Sequence, residues 1–108
     1  MKIENKIIAL VKGDVGIIDL DLDVLLTEGD LVYFSVKQST RDEEYLFQIT
    51  VDSFPNGAAK IIIPSEATKD AKEGLYYYDV KVALANGLRE TVITPNKFYI
   101  LGGITNEN

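Results

Sequence analysis

Three features of this 108-residue sequence predict an all-β domain. Apolar residues recur with a period of two in run after run. Glycine, proline, asparagine and aspartate break those runs at intervals of ~8–12 residues. Only one short segment has a helical pattern. Together these describe an antiparallel immunoglobulin-like β-sandwich of about seven strands, with one short helical turn near residues 65–71. A single domain over residues 1–108, its core spanning about 12–101, suits this length.

Taken in order, Lys2 to Leu10 offers a first, additional strand. Ile18, Leu20 and Leu22 then alternate with Asp19, Asp21 and Asp23, placing aliphatics on one face and carboxylates on the other. In Leu31–Lys37, Val32, Phe34 and Val36 share a face; in Tyr45–Val51 the apolar face is Tyr45, Phe47, Ile49 and Val51. Ala59–Ile63 is a short aliphatic strand closed by Pro64, which has no N–H for a ladder. Leu75–Leu84 is the longest run, with Tyr76, Tyr78, Val80, Val82 and Leu84 together; Leu88–Ile93 and Lys97–Leu101 complete the set.

The breaks between strands carry turn chemistry. Glu28-Gly29-Asp30 and Phe54-Pro55-Asn56-Gly57 are turn sequences. Asn86-Gly87 between two patterned runs signals a type I′ hairpin, whose two central positions both need positive φ. Ser65–Ala71 is the helical segment, with Ser65 as its expected N-cap and room for one or two turns.

Composition removes whole classes of function. With no cysteine and no histidine, there are no disulfides, no thiolate or imidazole metal sites and no histidine-based triads. Carboxylate pairs remain, but glycosidase chemistry needs a cleft and a controlled separation that no motif here specifies. No enzyme activity and no cofactor are expected. Gly102-Gly103 is followed by Ile-Thr rather than a lysine and a helix start, so it is not a phosphate loop. The 17 acidic against 11 basic residues give a net charge of −6. Such a chain repels phosphate backbones, and Arg41 and Arg89 are its only arginines, so nucleic acid is not an expected partner. The apolar run Ile7–Val11 is too short for a signal peptide or a membrane span, which needs ~20 residues. Synthesis in the cytoplasm with no signal peptide and no membrane partner is the expectation.

Two groups of residues stand out as candidate sites. Asp19, Asp21 and Asp23 supply hard oxygens of the kind calcium takes. Set against a calcium-binding helix–loop–helix motif, the first three acidic positions match, but Val24 stands where that loop needs glycine. The alternation therefore reads first as a solvated strand face that discourages edge pairing, and no metal is assigned. Tyr77 is the second. It falls between the core-facing Tyr76 and Tyr78, on the outer face with Asp79, Lys81 and Ala83. An aromatic side chain there suits an interface anchor, so Tyr77, Lys81 and Asp23 are the candidate interface residues. Arg41-Asp42-Glu43-Glu44 reads as a polar loop.

The order of the motifs adds to this. Lys12-Gly13-Asp14 opens the series, and Glu28-Gly29-Asp30 leads into Val-Tyr-Phe-Ser-Val-Lys37. Pro64-Ser-Glu-Ala-Thr68 precedes Glu73-Gly-Leu-Tyr-Tyr-Tyr-Asp-Val80, and Ala85-Asn-Gly87 gives way to Thr91-Val-Ile-Thr-Pro-Asn-Lys-Phe98. Over about residues 12–101 this succession resembles the small immunoglobulin-like proteins encoded in tail and baseplate regions of phages and prophages of Gram-positive bacteria. It is more loosely similar to the N-terminal domain of phage baseplate upper proteins. The acidic first strand, and Val15-Gly16 in place of a threonine and a small residue, depart from that pattern. The resemblance implies a non-enzymatic structural or accessory module of the virion. Such a module docks with other tail or baseplate proteins, or with copies of itself. The motifs describe a scaffold, so no site residue carries over. A carbohydrate- or calcium-dependent adhesion module is the alternative, to which the aspartate stripe and the surface tyrosines would contribute.

Overall fold

The computed structural model describes residues 7–20 and 25–103. Seven strands lie within them: β1 (Ile8–Val11), β2 (Gly16–Leu20), β3 (Leu31–Lys37), β4 (Phe47–Val51), β5 (Ala59–Ile63), β6 (Gly74–Ala83) and β7 (Arg89–Leu101). One five-residue helix, α1 (Ser65–Lys69), joins β5 to β6. The strands form a five-stranded sheet in the order β1-β7-β6-β3-β4 and a two-stranded sheet, β2-β5. Among the described residues no helix is long and apolar enough to cross a membrane. The fold is all-β.

Period-two alternation decides what is inside. Val32, Phe34 and Val36 of β3, Tyr76, Tyr78, Val80 and Val82 of β6, and Phe98 and Ile100 of β7 are buried. The small sheet contributes Leu20, Ala59, Ile61 and Ile63, and all of these form one core. Phe34 is its centre, with its ring 5.4 Å from Tyr78, 6.1 Å from Phe47 and 6.2 Å from Phe98, centroid to centroid. Those spacings lie in the range where aromatic pairs attract beyond simple area burial.

The sheets depart from the sequence reading in five places. The expected all-antiparallel arrangement gives way at one edge, where β1 runs parallel to β7 with Ile8 opposite Phe98 and Val11 opposite Leu101. Short turns impose antiparallel pairing only on strands that follow one another. β1 and β7 are joined through the whole domain, so no turn dictates their relative direction. The runs Leu88–Ile93 and Lys97–Leu101 are one 13-residue strand, β7, interrupted by irregular pairing opposite Tyr78 to Lys81. That irregularity turns the neighbours Val92 and Ile93 both inward and accommodates Pro95, which has no N–H to give.

The β6–β7 hairpin is also not a type I′ turn. Gly87 donates its N–H to the Leu84 carbonyl and Leu84 donates to Leu88, leaving a three-residue loop in which only Gly87, at φ +98°, has positive φ. This is a type I turn followed by a left-handed glycine, the next most common hairpin solution. In α1 the N-cap is Pro64, not Ser65, and no side chain caps the helix. Tyr45 is excluded from the core face. The chain enters β4 only at Phe47, after Leu46 has donated its N–H to the Val36 carbonyl, and Tyr45 is left half exposed on the other side. Leu22, Asp21 and Asp23 of the aspartate stripe, and the start of the Lys2–Leu10 strand, lie outside the described residues.

Thr68 of α1 is fully buried, and its Oγ1 accepts the Gly13 N–H at 2.9 Å, tying the helix to the β1–β2 turn. Thr68→Val keeps the shape but leaves that N–H without its partner. The expected loss is about 1–3 kcal/mol, read as a lower urea midpoint at unchanged slope. An unchanged midpoint would mean the bond contributes nothing.

Candidate functional site

Because Val32, Phe34 and Val36 point into the core, Tyr33, Ser35 and Lys37 of β3 point out. On β6 the same alternation turns Tyr77, Asp79 and Lys81 outward. Strand register then decides which of these meet. Tyr33 lies opposite Lys81, Ser35 opposite Asp79, and Lys37 opposite Tyr77. On the flanking strands Gln48 lies opposite Ser35 and Lys97 opposite Tyr77. Tyrosines and lysines therefore alternate around a polar centre. The Gln48 side-chain amide donates to the Ser35 hydroxyl at 2.9 Å.

The β3–β4 connection builds a wall beside this floor. Lys37 donates from Nζ to the Asp42 carbonyl at 2.7 Å and stands 5.0 Å from the centre of the Tyr45 ring. The Ser39 N–H in turn donates to the Asp42 carboxylate at 3.1 Å. What reads in sequence as a polar loop is thus held in shape by its own first residues. Floor and wall enclose a cleft of about 410 Å³, to which Tyr33, Lys37, Tyr45, Tyr77, Asp79 and Lys81 contribute. Sites for small ligands fall in the range of roughly 300–1,000 Å³.

Charge is unevenly placed. Burial pushes the Asp79 carboxyl above its ordinary range, while Lys81 and then Lys37 pull it back down. Lys37 and Lys81 against Asp79 give the residues lining the cleft a net charge of +1; since the whole chain is −6, the remainder carries −7. Asp30 is shifted the other way, by hydrogen bonds from the Thr27 and Ala85 backbones. It is committed to holding two loops together and is remote in register from this face.

The sequence candidates divide. Tyr77 and Lys81 come together in the cleft. Asp23 and Asp21 lie outside the described residues, and Asp19 is exposed on the other sheet, opposite Lys60. Among the described residues no group of three or more acidic side chains is placed to hold a metal ion. Tyr33, Ser35, Lys37, Tyr45, Gln48 and Asp79 were not singled out by sequence. Alternation alone puts four of them, Tyr33, Ser35, Lys37 and Asp79, on outer faces, but only the β3–β6 pairing makes those faces one surface.

No family model, curated protein or solved structure matches this chain. Its two sheets each turn one face outward. The second is that of the β2–β5 sheet, where Ile17 lies opposite Ile62. Both point away from the core, 62% and 52% exposed, and Val15 beside them is 59% exposed. Asp19 and Lys60 follow on the same face, charges that keep the two free edges of this small sheet from pairing at random.

Proposed function

We propose that this protein is a non-enzymatic structural or accessory module of a phage or prophage tail or baseplate, carried in the virion and acting by protein–protein docking. The scaffold is read as an immunoglobulin-like sandwich: two sheets share one core, and the edge strand β1 has crossed to lie along β7. The observation that carries the docking reading is the Ile17–Ile62 pair, aliphatic side chains facing each other across strands on the solvent side of a sheet. Contiguous exposed apolar surface is the kind that docking covers. The resemblance in motif order supplies the setting, and the absence of histidine and cysteine from the sequence suits a module without chemistry of its own. Of the residues expected at the interface, Tyr77 and Lys81 lie on the outer face of the five-stranded sheet; the docking surface proposed from the Ile17–Ile62 pair is that of β2–β5.

The test is mass in solution, measured by light scattering for the chain alone and mixed with the tail and baseplate proteins encoded beside it. The expected result is self-assembly or co-elution with one of them. The double variant Ile17→Lys, Ile62→Lys should be monomeric and bind none, with its melting temperature little changed because both side chains are outside the core. A wild-type chain that stays monomeric and co-elutes with none of its neighbours would sink the docking reading.

A further inference from the structure

We infer that the cleft on the outer face of the five-stranded sheet is a binding site for a saccharide bearing a carboxylate. The floor itself narrows the ligand. β3 is paired on one side with β4 and on the other with β6, and β6 is paired with β3 and β7. The backbone groups of β3 and β6 are used in ladders, so an extended peptide would find no main-chain partner on this floor. What the floor offers instead is flat aromatic surface interleaved with hydrogen-bonding groups. Tyr33 and Tyr77 supply ring faces for the C–H surface of a sugar. The Ser35 hydroxyl, the Gln48 amide and the half-buried Asp79 carboxylate supply partners for its hydroxyls.

Charge specifies the ligand further. Lys37 and Lys81 line the cleft against the single carboxylate of Asp79, in a chain whose residues outside the cleft sum to −7, and they are the natural partners of an anionic group. Single-stranded nucleic acid also stacks on aromatics beside lysines. Here, however, the Asp79 carboxylate stands in the middle of the floor, and the acidic remainder of the chain opposes a run of phosphates. A carboxylated sugar presents one negative group and many hydroxyls, which matches a floor that has both lysines and a carboxylate. The volume of about 410 Å³ suits a short oligosaccharide.

This inference is independent of the docking face, which belongs to the other sheet, and the experiment keeps the two apart. Calorimetric titration of the intact protein uses tetragalacturonate, a hyaluronan tetrasaccharide and sialyllactose as acidic probes. Neutral maltotetraose, oligothymidylate and an oligoglutamate peptide are the counterparts. Saturable binding of at least one acidic saccharide is expected, about tenfold tighter than maltotetraose and weakened at about 0.5 M salt. Tyr77→Ala and Lys81→Gln should each lower that affinity by about tenfold or more. Asp79→Asn should also weaken binding, while its melting temperature at neutral pH does not fall, because it relieves a desolvated charge. The Ile17→Lys, Ile62→Lys variant should bind the saccharide like wild type. Failure of all three acidic probes to bind, equal or tighter binding of maltotetraose, oligothymidylate or oligoglutamate, or affinity unmoved in the folded cleft variants would each overturn the inference.

Discussion

Phe34→Ala should cost about 3–5 kcal/mol of folding stability, the largest loss expected from any single substitution in this protein. Phe34 has no solvent exposure and sits in ring contact with Phe47, Tyr78 and Phe98, on three different strands. Truncation removes the transfer free energy of the ring and leaves a hole that three strands of a hydrogen-bonded sheet cannot close around. Domains of this size have about 5–15 kcal/mol in total, so the variant would be near the edge of folding. Phe34→Leu refills part of the volume and should lose less. Urea denaturation of the pair measures both. A loss below about 1 kcal/mol for Phe34→Ala would mean that the core repacks freely, against the close packing that interiors show.

Asp30→Ala should give the second large loss, by freeing two loops from each other. Asp30 is almost wholly buried, and its Oδ2 accepts the Thr27 N–H at 2.8 Å while its Oδ1 accepts the Ala85 N–H at 2.9 Å. One carboxylate therefore joins the turn before β3 to the β6–β7 hairpin. Alanine strands both N–H groups, whereas asparagine retains one acceptor oxygen, so melting temperatures should fall in the order wild type, Asp30→Asn, Asp30→Ala. The same bonds hold the Asp30 carboxyl below its ordinary range. A depressed folded-state value means that the stabilisation is complete above the unfolded-state value of ~3.9 and is lost as the pH falls toward the folded one. The gap in melting temperature between wild type and Asp30→Asn should thus be widest at neutral pH and shrink below about pH 4. A gap that is constant with pH would refute a role for the charge.

Neither Asp30 nor the cleft stands out in the sequence, and the reason is the same. Glu28-Gly29-Asp30 is legible as a turn, because turn chemistry is local and Gly29 does adopt positive φ at 95°. That its last residue reaches a hairpin 55 positions away is not, since nothing near Asp30 encodes the place of Ala85. Tyr77 and Lys81 were legible as outward-facing from their alternation with Tyr76, Tyr78, Val80 and Val82. Their companions Tyr33 and Lys37 were equally outward on β3, but with no sign of which strand would lie beside it. Tyr45 keeps the parity of Phe47 in sequence, but the chain there is still in the loop and has not yet begun to alternate. Asn86-Gly87 is legible as a hairpin but not as to its type, since both turn types place a left-handed glycine at this position.

Away from the irregular stretch of β7, the sequence by itself determined which side chains of each strand enter the core. In an extended chain that direction is set by the backbone of the residue and its immediate neighbours, so a period of two is a local signal. Tertiary structure alone decided which strands lie side by side, which way β1 runs, and where the β6–β7 ladder slips. Those depend on closing one core over residues far apart in the chain. The same closure set Tyr33 against Lys81 and Lys37 against Tyr77, and so made a cleft from outward residues that the sequence could only scatter over separate strands.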